Sequence, residues 1–217
     1  MLGLLTTLML LLPEVVMPRP TELVAAFGDA VELERLSTRL GPSRLTELFE
    51  DAANRQKSRL VTTSLRGITL MSAAHPDLGV QLLGPFSDAL LRLGRARKLD
   101  DKQLQAAGEA LRKTATAFGL IACGSVDVPA ELDGDCEPVQ RETAERLYAL
   151  GADVTLPPLL REGALEGLAQ LPPSSFSHLV PRLVKLAQAP TRSGRGALAV
   201  LASLVPREHP ESLQQLV

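Results

Sequence analysis

The spacing of apolar residues is the feature that most restricts what this chain can fold into. In segments such as 57–74 and 101–122, apolar side chains recur every three or four residues, as on one face of a helix. No stretch alternates β-branched or aromatic residues with polar ones over six positions, which is the pattern of a half-buried strand. The sequence therefore predicts an all-α fold.

The composition of the interior follows from the scarcity of aromatic residues. Only 3% of the 217 residues are aromatic, whereas 45% are hydrophobic, so Leu, Ala and Val must fill the core. Small aliphatic side chains allow helices to pack closely. A chain of this length can bury a substantial core, and we do not expect it to be disordered over most of its length.

An internal repeat occupies the final third of the sequence. Residues 163–172 read GALEGLAQLP and are echoed by GALAVLASLVP at residues 196–206, an offset of 33 residues. A period of about 30 to 47 residues, with two helices in each unit, is typical of helical solenoids. Three prolines, Pro13, Pro85 and Pro181, each follow a short apolar segment that would otherwise continue as helix, and we expect a kink at each.

Two consecutive segments in this region resemble a HEAT repeat. Residues 179–187 read LVPRLVKLA, and residues 195–204 read RGALAVLASL. In that family a proline lies in the middle of the first helix and an arginine opens the second, and Pro181 and Arg195 match those positions. The acidic residue that usually lies between the helices is missing from APTRSG at residues 189–194. Armadillo-type and other helical repeats share this pattern.

The resemblance is good for about residues 156–205 and loose for 78–122. It implies an α-solenoid of stacked antiparallel helix pairs, wound into a right-handed superhelix, that binds proteins or, less often, nucleic acids along its concave face. It carries over no catalytic residues and no cofactor. We predict one continuous solenoid with N-terminal repeats over residues 1–122, an acidic loop over 123–137 and HEAT-like repeats over 138–217. We expect a non-enzymatic scaffold for a protein partner, located in the cytoplasm or nucleus.

Charge alternates in blocks along the chain, although the formal net charge is only −2. Residues 55–113 carry 11 basic and 5 acidic side chains, whereas residues 114–170 carry 3 basic and 10 acidic ones. Arg55, Lys57 and Arg59 open the basic block. The candidate partner-binding residues follow them in the sequence: Arg92, Arg95, Arg97, Lys98, Lys102, Arg112 and Lys113.

The basic block also supports an alternative function, RNA binding by a helical-repeat protein. Its cations would contact phosphates, and the affinity would fall steeply with salt. Aromatic side chains for base stacking are not interleaved with these cations, which favours the protein-binding interpretation. Retention on heparin or RNA separates the two functions, because a protein-binding scaffold with a net charge of −2 should elute early.

The chain has only three histidines and two cysteines, and it contains no common nucleotide-binding, zinc-protease or serine-hydrolase motif. His75 and His209 precede prolines at predicted helix ends, where the helix dipole favours a positive ring. An enzyme with a cysteine or histidine centre would require His178 to meet Cys123 or Cys136. We expect both cysteines to be reduced, and a disulfide between them is the alternative.

Five carboxylates lie between residues 127 and 137, which could suggest a calcium site. They lack the ligand spacing and the central glycine of the twelve-residue calcium loop. A solvated acidic loop, open to a basic partner, is the favoured interpretation, and no metal or other cofactor is predicted.

The apolar run at residues 1–12 resembles the hydrophobic part of a secretion signal in length. No Lys or Arg precedes it and no cleavage site follows, so a buried helix is favoured, and the run is too short to span a bilayer. A solenoid needs polar terminal repeats, and neither end of this sequence provides one. We therefore expect a longer solenoid or a larger assembly that covers apolar ends. Light scattering tests this, because a monodisperse monomer at high concentration would contradict it.

Overall fold

The computed structural model describes residues 17–121 and 136–204, and every regular element in those ranges is helical. The all-α prediction is confirmed. Predictions for residues 1–16, for most of the acidic loop and for residues 205–217 lie outside the described residues, with Pro13, Cys123 and His209 among them. The helices are α1 (Pro20–Ala25), α2 (Ala30–Leu40), α3 (Pro42–Asn54), α4 (Ser58–Ala74), α5 (Pro76–Arg95), α6 (Asp101–Ile121), α7 (Cys136–Ala152), α8 (Pro158–Leu168), α9 (Pro173–Phe176), α10 (Val180–Ala187) and α11 (Arg192–Ser203).

The helices pack in consecutive pairs that form two rows. Within pairs, α3 packs on α4, α5 on α6, α7 on α8, and α10 on α11. Between pairs, α3, α5 and α7 contact one another in succession, and we call them row A. We call α2, α4, α6, α8 and α11 row B, in which each helix also contacts the next. Each pair therefore buries its apolar stripe against its neighbours as well as internally.

Helices α4 and α6 run in the same direction along row B. Near their first turns, the Gln103 side-chain amide donates a hydrogen bond to Ser58 Oγ at 3.0 Å. Further along both helices, the hydroxyls of Ser72 and Thr114 lie 3.4 Å apart. Since α5 connects the two helices and packs on both, the α3–α4 turn and the α5–α6 turn lie at the same edge of the molecule.

These two turns are built alike. Gln56, just after α3, has a φ of 54°, and Arg97, just after α5, has a φ of 51°. Both residues therefore adopt the left-handed backbone conformation. The next residue in each turn, Lys57 or Lys98, donates its backbone N–H to the carbonyl five residues earlier, at 2.8 and 3.0 Å. This bond satisfies a carbonyl at the helix end that would otherwise lack a donor. The turn geometry thus repeats after 41 residues, whereas the later echo has an offset of 33.

Glycine at either left-handed position is expected to stabilise the fold. Gln56→Gly and Arg97→Gly each remove the clash of a Cβ with the backbone, so the free energy of unfolding should rise by about 0.5 to 1 kcal/mol. Urea unfolding measures the change. Gln188→Gly is the matched control, because Gln188 ends α10 with φ of −68° and gains nothing from glycine. Equal losses in all three variants would contradict the prediction.

The core between the first two row A helices centres on two phenylalanines. Phe49 of α3 and Phe86 of α5 are fully buried, and their rings meet edge to face with centroids 5.6 Å apart. This is a favourable geometry for aromatic pairs. These two rings provide the largest side chains at this contact. Because aromatic residues are scarce, aliphatic residues fill most of the remaining core.

Glycines bring neighbouring helices of row B close together. A Cβ built on Gly163 of α8 would lie only 2.5 Å from the Cα of Gly108 on α6. A Cβ on Gly196 of α11 would lie 2.8 Å from the Leu165 side chain on α8. The 33-residue repeat therefore corresponds to two successive row B helices, each of which uses a glycine to approach the helix before it.

Two of the three prolines at which a kink is expected lie in described helices. Helix α5 continues through Pro85, and both Pro85 and Gln81 are exposed, so water can satisfy the carbonyl that proline leaves without a donor. Pro181 lies in the first turn of α10, where the missing amide has no helical acceptor to lose. The predicted loop boundary also moves, since α7 begins at Cys136 and residues 136–137 are helical.

Candidate functional site

Three of the seven candidate partner-binding residues already hold acidic partners within the chain. Arg92 forms a two-pronged pair with Glu50 at 2.7 and 2.8 Å. Arg95 Nη2 donates to Asp153 Oδ2 at 2.7 Å, and the guanidinium of Arg112 pairs with Glu109 one turn earlier in α6 at 2.7 Å. Arg92 and Arg95 thereby link separate parts of the fold, whereas Arg112 pairs within α6. The acidic partners largely neutralise all three charges.

Ion pairs connect the helices of row A in succession and continue from α7 to α10. The hydrogen bond from Arg92 lowers the pKa of Glu50 and keeps this carboxylate charged. Arg146 reaches back to Asp88 at 3.2 Å, and Arg182 lies over the Tyr148 ring, 4.2 Å from its centroid. The pairs that bridge successive helices are Glu50 to Arg92, Asp88 to Arg146, and Glu145 to Arg182. An acid–arginine ladder therefore runs from α3 to α10, although the acidic residue expected from the HEAT resemblance is missing between α10 and α11.

Asp153 joins the α7–α8 turn to the end of α5. It accepts hydrogen bonds from the Thr155 hydroxyl at 2.6 Å and the Thr155 backbone N–H at 2.9 Å, as well as from Arg95. The Thr155 hydroxyl is the largest cause, and Arg95 the next, of a pKa lowered to about 2 from an ordinary 3.8. Because the folded-state pKa lies below the unfolded one, the stabilisation is complete above pH 5 or so and is lost as the pH falls toward about 2.

Asp153→Asn is therefore expected to lower the Tm at pH 7, and the difference in Tm from the unchanged protein should become smaller as the pH falls. The amide keeps the shape of the side chain but removes the charge that Arg95 and Thr155 stabilise. Thermal unfolding of both proteins between pH 7 and pH 2 measures the difference. Asp101→Asn, at an exposed carboxylate in the first turn of α6, is the control and should show little difference at any pH. A gap that stays constant down to pH 2 would refute the assignment.

The other four candidate residues, Arg97, Lys98, Lys102 and Lys113, have no acidic partner within the part of the chain that the structure describes. Arg97, Lys98 and Lys102 are exposed around the α5–α6 turn. Lys113 is half-buried in the middle of α6. It therefore lies apart from the other three residues, and the predicted cluster is not one continuous surface.

Two cations from the start of the basic block join the exposed group. Lys57 and Arg59 are exposed at the beginning of α4 and have no acidic partner among residues 17–121 and 136–204. Arg55 differs, since its Nε pairs with Asp51 at 2.7 Å. The Ser58 to Gln103 hydrogen bond places the starts of α4 and α6 side by side. We call the resulting surface the basic edge, and it comprises Lys57, Arg59, Arg97, Lys98 and Lys102.

Helix ends and two acidic residues surround the cations of the basic edge. The amino-terminal ends of α4 and α6 contribute partial positive charge here, and the carboxyl-terminal ends of α3 and α5 lie in the same turns and contribute partial negative charge. Asp100 caps α6 by accepting from the Gln103 backbone N–H at 2.9 Å, while Gln103 Oε1 accepts from the Asp100 N–H at 3.0 Å. Asp101 is the remaining acid of this turn and is exposed.

The described histidines take structural positions. His75 ends α4, as expected from His-Pro at a helix end, and its Nε2 lies 2.8 Å from Glu34 Oε1. His178 Nε2 lies 3.3 Å from Glu145 Oε1. Cys123 and the side chain of Cys136 lie outside the described residues, so a cysteine–histidine centre stays untested. Among residues 17–121 and 136–204, no three His, Cys, Asp or Glu side chains are grouped to hold a metal ion.

The acidic partners of Arg92 and Arg95 were not anticipated from the sequence. Glu50 precedes Arg92 by 42 residues, and Asp153 follows Arg95 by 58. Because the helix pairs differ in length along the chain, the two ion pairs have different sequence separations, and no fixed offset in the sequence identifies the acidic partner of each arginine. One sequence signal was available: residues 54–57 (NRQK) and 95–98 (RARK) are both basic helix ends without a glycine, and they form the two equivalent turns.

No helix in the described ranges combines the length and the apolarity needed to cross a membrane. Comparisons with family models, with curated proteins and with solved structures found no match to this chain.

Proposed function

We propose that this protein is a non-enzymatic scaffold that binds an acidic segment of a partner protein at the basic edge. The architecture we propose for it is a HEAT-like α-solenoid, in which rows A and B are the first and second helices of the stacked pairs. The succession of contacts along each row supports this architecture. The right-handed superhelix, a partner bound along the concave face and the location in the cytoplasm or nucleus stay predictions.

One observation carries the proposal: five exposed cations without acidic partners in the described chain share two adjacent turns. Elsewhere the described arginines commonly pair with nearby carboxylates, as Arg35, Arg44 and Arg55 do. Leaving like charges together opposes folding stability, because the charges repel one another. An anionic partner would relieve this repulsion.

RNA is the alternative ligand, since phosphates would satisfy the same cations. The chemistry of the edge favours protein. Its five members are Lys and Arg with no aromatic residue among them, whereas proteins that bind single strands combine cations with stacking platforms. Binding to RNA would therefore depend on charge alone and be lost at moderate salt.

Fluorescence anisotropy with a labelled glutamate-rich peptide and a labelled single-stranded RNA tests the proposed function. At low salt we expect the peptide to bind at least as tightly as the RNA. Lys98→Glu should weaken peptide binding about fivefold, because it replaces an attraction by a repulsion worth roughly 1 kcal/mol.

Lys185→Glu is the charge-matched control. Lys185 is exposed on α10, two helix pairs away along the chain, so its reversal changes the net charge equally but leaves the basic edge intact. If the two variants weakened peptide binding equally, binding would depend on the net charge of the chain and not on the basic edge, which would contradict the proposal. Tighter binding to RNA than to peptide would establish the alternative.

A further inference from the structure

An apolar groove opens at one end of the basic edge, between α1 and the start of α4. Its volume is about 470 Å³, within the range of roughly 300 to 1,000 Å³ that ligand pockets have. The groove is lined by Pro20, Thr21, Val24, Leu60 and the residues that begin α4. It can therefore accept apolar side chains of a peptide.

The charges around this groove select what can enter it. Lys57 and Arg59, both exposed members of the basic edge, line it from the α4 side. Helix α4 starts with no side-chain cap and no acidic residue in its first turn. Glu22, the nearest acid of α1, accepts a hydrogen bond from the Arg19 backbone N–H and does not line the groove. The groove thus combines an apolar floor with a positive rim that the described chain leaves uncompensated.

We propose that this groove docks an apolar side chain of an acidic partner peptide, such as a leucine flanked by glutamates or aspartates. Charge complementarity decides the occupant: carboxylates pair with Lys57 and Arg59, and the leucine covers Val24 and Leu60. The rest of the peptide continues along the basic edge toward Lys102, since Ser58 in the groove contacts Gln103 of α6. This inference rests on the proposed function and adds the sequence preference of the partner.

Two short acidic peptides of equal charge test the proposal on the full chain. One has leucines at its centre, and the other has serines at those positions. We expect the leucine peptide to bind roughly tenfold more tightly, because burial of an apolar side chain adds to the charge attraction. Equal binding would overturn the groove but leave the basic edge as a site. No binding of either peptide would overturn both proposals.

Thr21→Glu provides the second arm. Thr21 is exposed in the first turn of α1, where an added acid suits the helix dipole and the fold should persist. The variant should abolish the advantage of the leucine peptide, whereas Gln81→Glu, an equal charge change on the exposed face of α5, should preserve it. Preservation of the advantage in Thr21→Glu would contradict the proposal.

Two further outcomes would assign the groove to another occupant and overturn the proposal. If the leucine peptide binds only after Leu8→Asp, residues 1–16 of the chain itself fill the groove. If light scattering finds a dimer that Thr21→Glu dissociates, a second copy fills it.

Discussion

Phe86→Ala is expected to lower the free energy of unfolding by about 3 to 5 kcal/mol, as large-to-small substitutions of buried aromatic residues do. The Phe86 ring is fully buried and meets the Phe49 ring edge to face at the α3–α5 contact. Removing the ring loses the free energy gained by its transfer from water into the core, and it leaves a cavity between two rigid helices. Few aromatic residues are available in this chain to refill that space. Urea unfolding followed by circular dichroism measures the loss.

Phe86→Leu is the matched control for this prediction. Leucine keeps most of the apolar volume, so we expect a loss of no more than about 1.5 kcal/mol. A double-mutant cycle with Phe49→Leu should reveal a coupling of about 0.5 to 1.5 kcal/mol between the two rings. If Phe86→Ala and Phe86→Leu cost the same, the ring pair does not organise this contact.

Gly163→Ala is expected to lower the free energy of unfolding by about 2 kcal/mol, although alanine is the better helix former. The added Cβ would lie 2.5 Å from the backbone of Gly108, and backbone cannot move aside as a flexible side chain can. Helices α6 and α8 must separate, which loses contacts along their whole interface, and overpacking of this kind typically costs about 1 to 3 kcal/mol. Thermal or urea unfolding measures the change.

The other side of the same contact provides the control. A Cβ on Gly108 would lie 3.4 Å from Gly163 Cα, an ordinary van der Waals distance. Gly108→Ala should therefore be neutral or should raise stability by up to about 1 kcal/mol through helix propensity. Opposite signs for two identical substitutions across one contact would be difficult to explain by propensity alone. A loss for Gly108→Ala as large as that for Gly163→Ala would refute the described register of α6 and α8.

The bounds of the long helices could be predicted because their signals are local. The uninterrupted apolar period predicted helices over 57–74 and 101–122, and the structure has them at Ser58–Ala74 and Asp101–Ile121. The Asp100 cap of α6 is equally local, since Asp100 and its partner Gln103 lie three residues apart. The effect of Pro85 depends on surroundings that the sequence does not show. Helix α5 continues through Pro85 on a side that faces water, where the carbonyl left without a donor can be solvated.

The candidate site was harder to predict, because the sequence gives the number of cations but not their partners. Arg92 and Lys98 are equivalent in any reading of composition, yet one is neutralised by Glu50 on another helix and the other is exposed without an acidic partner in the described chain. The difference depends on the register between helix pairs. That register varies along the chain, since equivalent positions lie 41 residues apart at Gln56 and Arg97 and 33 apart at Gly163 and Gly196.

The two rows respond differently to ionic strength, because exposed ion pairs bridge the helices of row A whereas glycine contacts set the close approach of α6 and α8 in row B. Salt screens exposed charges and leaves van der Waals contacts unchanged. Rising salt therefore weakens the charged contacts of row A but not its buried ones, such as that of Phe49 with Phe86, and it leaves the glycine contact of row B unchanged. The salt-dependent part of the folding stability thus lies mainly in row A.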